Sequence, residues 1–180
     1  MGGWGDGEKP EMFFMMGERG GYYITVRAVG GLEMVGFAEN SDLLLVVSLS
    51  GRGLFDCTSG EKIARDRDDD DLAWYDWDKL SASGIGSLEG RKIRLAGLYG
   101  GGLITITRDG WQLDLIAPTW PDYRVILCPP HADIYDDLAA CVQVEQDCEI
   151  RAFGFSETGR SFIVALNHSL YIYARSENVP

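Results

Sequence analysis

Asp66, Asp68 and Asp70 alternate along the chain in the spacing by which the first ligands of a calcium loop offer oxygens to a cation. The pattern then departs from that loop. Its sixth position is Asp71, where a tight turn needs Gly, and its twelfth is Trp77, where a bidentate Glu is required. An EF-hand is excluded, and the spacing leaves only a looser cation site shared among several Asp residues. From Asp66 to Asp78 there are seven carboxylates and one Arg within thirteen residues. Such a run repels itself unless it is solvated or faces positive charge. Set among Asp66, Asp68, Asp69, Asp70, Asp71, Asp76 and Asp78 are Trp74, Tyr75 and Trp77. Large rings beside charge suit a protein interface, where rings anchor by burial and acids steer the approach.

A second acidic stretch carries Asp133, Tyr135, Asp136, Asp137, Glu145, Asp147 and Glu149 without a Lys or Arg between 129 and 149. Asp133 to Cys141 reads as two turns of helix, with acids at the start where the helix dipole favours them. The segments 66–90 and 129–149 together hold 14 of the chain's 28 acidic residues.

Other chemistry is poorly served. A nucleophile needs an activating base, yet only His131 and His168 are present, and His168 falls in a turn. No pair of carboxylates is singled out for glycoside hydrolysis. Gly84-Ile85-Gly86 and Gly100-Gly101-Gly102 lack the strand, helix and Lys context of a phosphate loop, so tight turns explain them better. A net charge of −12 with 16 basic residues argues against binding nucleic-acid phosphates. Cys57, Cys128, Cys141 and Cys148 show no CxxC pair, so four reduced thiols are expected. Met12 to Met16 is too short for a secretory core, and no later segment reaches membrane-spanning length. The expected location is the cytoplasm, with no membrane partner and no cofactor.

The elements that must position these residues repeat. Leu45 to Asp56, Leu103 to Asp114 and Phe162 to Tyr173 align without a gap, each preceded by a piece ending in Gly-apolar: Leu32 to Phe37, Ile93 to Leu98 and Ile150 to Phe155. Gly36, Gly97 and Gly154 fall in register. The apolar runs read as strands covered on both sides, and the Gly-, Asn- and Asp-bearing breaks as hairpin turns. The expectation is an all-β chain of three four-stranded antiparallel units in a single domain. Its parts are an N-terminal segment (1–21), a closing strand (22–29), unit one (32–66), an acidic insertion (67–90), unit two (91–128), a second acidic insertion (129–149) and unit three (150–175). Tyr22 to Val29 is expected to supply the strand that unit three lacks and to cover its edge.

Phe55-Asp56 and Leu113-Asp114 stand where WD-repeat blades place their Trp-Asp dipeptide, and in the hairpin cores the units resemble degenerate blades of that family. No Gly-His pair precedes them, and unit three has Ile172-Tyr173 instead. The resemblance implies a propeller-like arrangement; the alternative is a three-fold β-barrel of trefoil type. In either, both insertions follow an outer strand, so three-fold symmetry would bring them to one end. In size, acidity and scarcity of catalytic residues the chain is similar to the immunity proteins that bacteria encode beside secreted toxins. That likeness implies a non-catalytic module docking or neutralising a basic protein partner. The alternatives are a metal-dependent hydrolase using the Asp residues, and a structural module that homodimerises.

Overall fold

Alternating apolar residues dictate where the sheets meet, as a computed structural model describing residues 11–13, 21–67 and 72–176 shows. Asp68, Asp69, Asp70 and Asp71 lie outside the described residues. In chain order the first strands are β1 (Glu11–Phe13), β2 (Tyr22–Ala28), β3 (Leu32–Phe37), β4 (Leu43–Ser48), β5 (Gly51–Asp56), β6 (Glu61–Asp66), β7 (Tyr75–Asp76) and β8 (Ser81–Ser83). There follow β9 (Lys92–Arg94), β10 (Ala96–Gly97), β11 (Gln112–Thr119), β12 (Asp122–Cys128), β13 (Val142–Asp147), β14 (Ile150–Phe155), β15 (Ser161–Leu166) and β16 (Ser169–Arg175). The fold is all-β, with antiparallel sheets and only short 3-10 turns among the described residues. No helix among those residues is long and apolar enough to cross a membrane.

Sheet one has the order β10-β3-β4-β5-β6, and its last four strands are the meander expected of unit one. Sheet two runs β1-β2-β16-β15-β14. There β2 pairs with β16 from Tyr22↔Arg175 to Ala28↔Ser169, so the early strand does complete the third unit's sheet. Sheets three (β7-β8-β9) and four (β11-β12-β13) are three-stranded.

Period-two alternation sends neighbouring side chains of one strand to different cores. Leu44 and Val46 of β4 join Ile163 and Ala165 of β15 in the core between sheets one and two. Leu45 and Val47 point the other way, to Tyr75, Ala82, Leu88 and Ile93 of sheet three and its turns. Phe162, Val164 and Leu166 of β15 meet Leu113, Val125 and Leu127 of sheet four. Each central sheet is therefore covered on both faces, which is why β4 and β15 read as unbroken apolar runs. Burying each Leu, Val or Ile there stabilises the fold by about 1.5–3 kcal/mol.

Unit two departs from its siblings. Leu103 to Thr107 forms no ladder and makes only isolated bridges, Ile104↔Phe155 and Ile106↔Gln112. The strand expected before it is divided: β9 pairs with β8, while β10 is drawn to the edge of sheet one, Ala96 facing Val35 and Gly97 facing Met34. The small side chains of β10 let it lie against β3, and an edge strand with open N–H and C=O groups captures such a segment.

The repeated glycines have a steric cause. A Cβ on Gly36 would stand 1.9 Å from the backbone oxygen of Arg94, and one on Gly154 would stand 2.3 Å from the Cβ of Leu103. At both points a segment distant in the chain, at Arg94 over Gly36 and at Leu103 over Gly154, lies directly against the strand, and only a residue without a side chain leaves room.

Two further expectations are corrected. Asp133 to Cys141 is not a helix of two turns, since only Leu138–Ala140 forms a 3-10 turn. The Asp133 carboxylate accepts from the N–H groups of Tyr135 and Asp136, both at 2.7 Å, and so holds a local turn that competes with helix. Nor are all four cysteines free thiols, because Cys128 and Cys141 form a disulfide. The register explains it: Ile126 faces Gln143 and Leu127 faces Val142, so the next cross-strand pair is Cys128 and Cys141. Cys57 is a buried thiol and Cys148 an exposed one.

Candidate functional site

The first acidic insertion returns to the outer face of sheet one, and its aromatic residues meet there. Tyr75 opens β7 and is buried to 9% exposure in the core shared with Val47 and Leu45, while Trp77, in the turn after β7, stays 52% exposed. Their rings lie 4.2 Å apart at 49°. Trp77 also meets Tyr99 edge-on at 5.2 Å, and Trp74 meets Tyr75 edge-on at 6.0 Å. Edge and tilted contacts of this kind hold aromatic clusters in fixed relative positions.

These four rings, with Glu33, Val47, Ser48, Leu49 and Gly51, line a cleft of about 260 Å³. The Tyr99 hydroxyl donates to the Glu33 carboxylate at 3.4 Å. The neighbouring Glu33 charge, then burial, raise the Tyr99 hydroxyl above its ordinary pKa, with Arg151 pulling the other way. Burial raises that of Tyr75, and the negative potential of Tyr99 and Glu33 adds to it. The Tyr75 hydroxyl has no hydrogen-bond partner among the described residues. A polar atom sealed away unpaired costs about 1–3 kcal/mol, so its position is held by the packing of its ring.

One wall is fixed from behind. Arg52 of β5 is buried, with its Cζ 4.6 Å from the Trp74 ring centre. It donates to the Ser83 backbone oxygen at 2.7 Å and pairs with Asp66. One guanidinium thus ties β5, β6, β8 and the aromatic turn together, and its planar fork is what permits three directions of contact. Gly51 holds φ at +97°, and a Cβ there would stand 2.3 Å from the Asp66 backbone oxygen, so the floor of the cleft also depends on a glycine.

Of the residues marked in the sequence, Trp74, Tyr75 and Trp77 are brought together, with Asp66 attached through Arg52. Asp76 receives the Lys79 N–H at 3.1 Å, and Asp78 is exposed beside it. Asp133, Tyr135, Asp136 and Asp137 sit in the loop between β12 and β13 of sheet four, where Tyr135 is 89% exposed. Sheet four packs on sheet two, whereas the first insertion packs on sheet one, so the two insertions stand on different cores. Glu33, Leu49 and Tyr99 escaped the sequence reading. Tyr99 carries a usable signal, an aromatic residue directly before three glycines in a turn. Glu33 looked like an ordinary outward residue of a strand.

Among the described residues, no three His, Cys, Asp or Glu side chains converge as metal ligands would. No protein-family model, no curated protein and no solved structure matches this chain.

Proposed function

We propose that this chain is a non-catalytic protein-binding module that docks a basic protein partner through its first acidic, aromatic insertion. The observation that carries the reading is Trp77, more than half exposed at the rim of a cleft walled by Trp74, Tyr75 and Tyr99, in a chain of net charge −12. An exposed indole on a rigid aromatic base is the kind of anchor that dominates interface energetics. The surrounding charge would supply a long-range attraction that raises the association rate and falls with salt. In the sequence the four carboxylates from Asp68 to Asp71 precede Trp74 and count in that net charge, as do Asp133, Asp136 and Asp137.

The accompanying fold reading is propeller-like. The four-stranded meander β3–β6 and the three-stranded meander β14–β16, each begun by a strand with a crossing glycine, pack against one another, and the early strand β2 completes the later sheet. On the immunity-protein likeness, the partner is a toxin whose basic, phosphate-binding cleft the carboxylates would fill.

The test is co-expression with the product of the adjacent gene, followed by binding measured across a salt series. Trp77→Ala is expected to weaken the complex by about 2 kcal/mol or more, the scale of an interface hot spot. Changing Asp68 to Asp71 to Asn is expected to flatten the salt dependence. A complex indifferent to both variants would remove this insertion from the interface.

A further inference from the structure

Resting on that docking reading, we infer that the aromatic cleft is a receptor for a single arginine side chain of the partner. Three features select a guanidinium. The walls are ring faces and edges of Trp77, Tyr99 and Tyr75, and a cation over such faces is attracted by their quadrupoles. Among the described residues the Glu33 carboxylate accepts only the long 3.4 Å bond from Tyr99, leaving acceptor capacity for a charged donor. The Tyr75 hydroxyl is buried without a partner among the described residues, and its ring lies 4.2 Å from that of the half-exposed Trp77. A planar fork can stack on a ring while donating to Glu33 on one side and to the Tyr75 hydroxyl on another; a quaternary ammonium has no N–H to give either acceptor.

Size and charge agree with this occupant. A cleft of about 260 Å³ is small for a drug-sized molecule and suits one side chain. The cations of this region are engaged elsewhere: Arg52 with Asp66, Ser83 and Trp74, and Arg151 with Glu149 at 3.9 Å. Arg52 stacked on the back of Trp74 also shows the same pairing of guanidinium and indole that the cleft would make with its guest.

The experiment is a titration of the full chain with the blocked pentapeptide Gly-Gly-Arg-Gly-Gly, followed through the Trp77 indole N–H signal by NMR. Parallel arms use the citrulline and lysine versions and tetramethylammonium. The expected result is a saturable shift with the arginine peptide in the millimolar range and none with citrulline, which keeps the shape but loses the charge. Glu33→Gln is expected to weaken the arginine peptide about tenfold, and Trp77→Ala, followed instead through the indole N–H signal of the cleft-lining Trp74, to abolish saturation. Trp120→Ala, altering an exposed indole of the β11–β12 turn, is expected to change nothing. Equal binding of citrulline, tighter binding of tetramethylammonium or lysine than arginine, or indifference to Glu33→Gln would each overturn the assignment. The two readings fail separately. A basic partner that binds with strong salt dependence while the arginine peptide does not leaves docking standing and removes the pocket. An arginine peptide that binds while the partner's affinity ignores Glu33→Gln and Trp77→Ala does the reverse.

Discussion

Asp42, in the turn between β3 and β4, and Arg160, in the turn between β14 and β15, are 118 residues apart and form a two-pronged ion pair, with Nε at 3.1 Å and Nη2 at 2.7 Å from one carboxylate oxygen. The other oxygen accepts from the hydroxyls of Ser156 at 2.7 Å, Thr158 at 2.8 Å and Ser161 at 2.7 Å. The Asp42 side chain is 3% exposed and that of Arg160 is 62% exposed, so the acid is the buried member and the hydroxyls are its main solvation. The pair pins the tips of sheets one and two together, independently of the apolar core between them.

Asp42→Ala is expected to cost about 3 kcal/mol, because it leaves Ser156 and Ser161 buried with fewer partners. Burial alone would raise the Asp42 carboxyl, but the hydrogen bonds from Ser156, Ser161, Thr158 and Arg160 outweigh it and hold the pKa below 3.8. A carboxyl depressed in the folded state stabilises fully above its unfolded value and loses that contribution as pH falls through the folded one. Urea unfolding between neutral pH and pH 2 will show it: the wild type loses stability below about pH 4 more steeply than Asp42→Asn.

Arg52→Lys is expected to destabilise by about 2 kcal/mol although the charge is kept, since an ammonium cannot serve Ser83, Asp66 and the Trp74 face at once. Trp74 fluorescence, isolated against Trp74→Phe, is expected to shift to the red as that ring face meets water. An unchanged spectrum would show that the stack does not hold the aromatic turn.

How far the chain could be read from its residues differs between the two kinds of element. β4 and β15 were legible because each carries an unbroken apolar run bounded by turn residues, β3, β5, β14 and β16 because they repeat in register on either side of those runs, and the pairing of β2 followed from counting strands. Leu103 to Thr107 has the same pattern but lost its neighbour β10 to the edge of sheet one, a competition that local sequence does not encode. The cleft was half legible: Trp74, Tyr75 and Trp77 announce themselves among acids. Glu33 and Tyr99 join them only through the pairing of β10 with β3, where Leu98 donates its N–H to the Glu33 backbone oxygen at 2.9 Å. Such long-range register carries no trace in spacing.

Thiol chemistry separates the cysteines. In the oxidised native protein a disulfide-exchange reagent is expected to label one cysteine quickly, Cys148, which is exposed. Cys57 is buried and its thiol is raised well above the ordinary range by burial, with Asp42 and Asp56 adding to it, so it reacts only on unfolding. Reducing the Cys128–Cys141 bond, which spans a sequence separation of 13, is expected to cost about 3 kcal/mol, measured as a lower urea midpoint in reductant. Two fast-reacting thiols before reduction would contradict the assignment.

Gly36→Ala is expected to cost about 3 kcal/mol, because the new methyl meets the Arg94 backbone rather than a movable side chain. Gly90→Ala tests a different effect. Nothing lies within 4 Å of the added carbon there, so its loss comes from the positive φ of +81° alone and is expected to be smaller, about 1 kcal/mol. Thermal unfolding of the pair ranks the two.

The partnership of β2 with β16 sets a timetable for biosynthesis. Tyr22 leaves the ribosome long before Arg175, 153 residues later, to which its hydroxyl is bonded. Through most of translation, an apolar strand must wait without its mate, open to chaperones or to a neighbouring nascent chain. A circular permutant that fuses the two strands as a hairpin would shorten that wait and should refold faster than the parent.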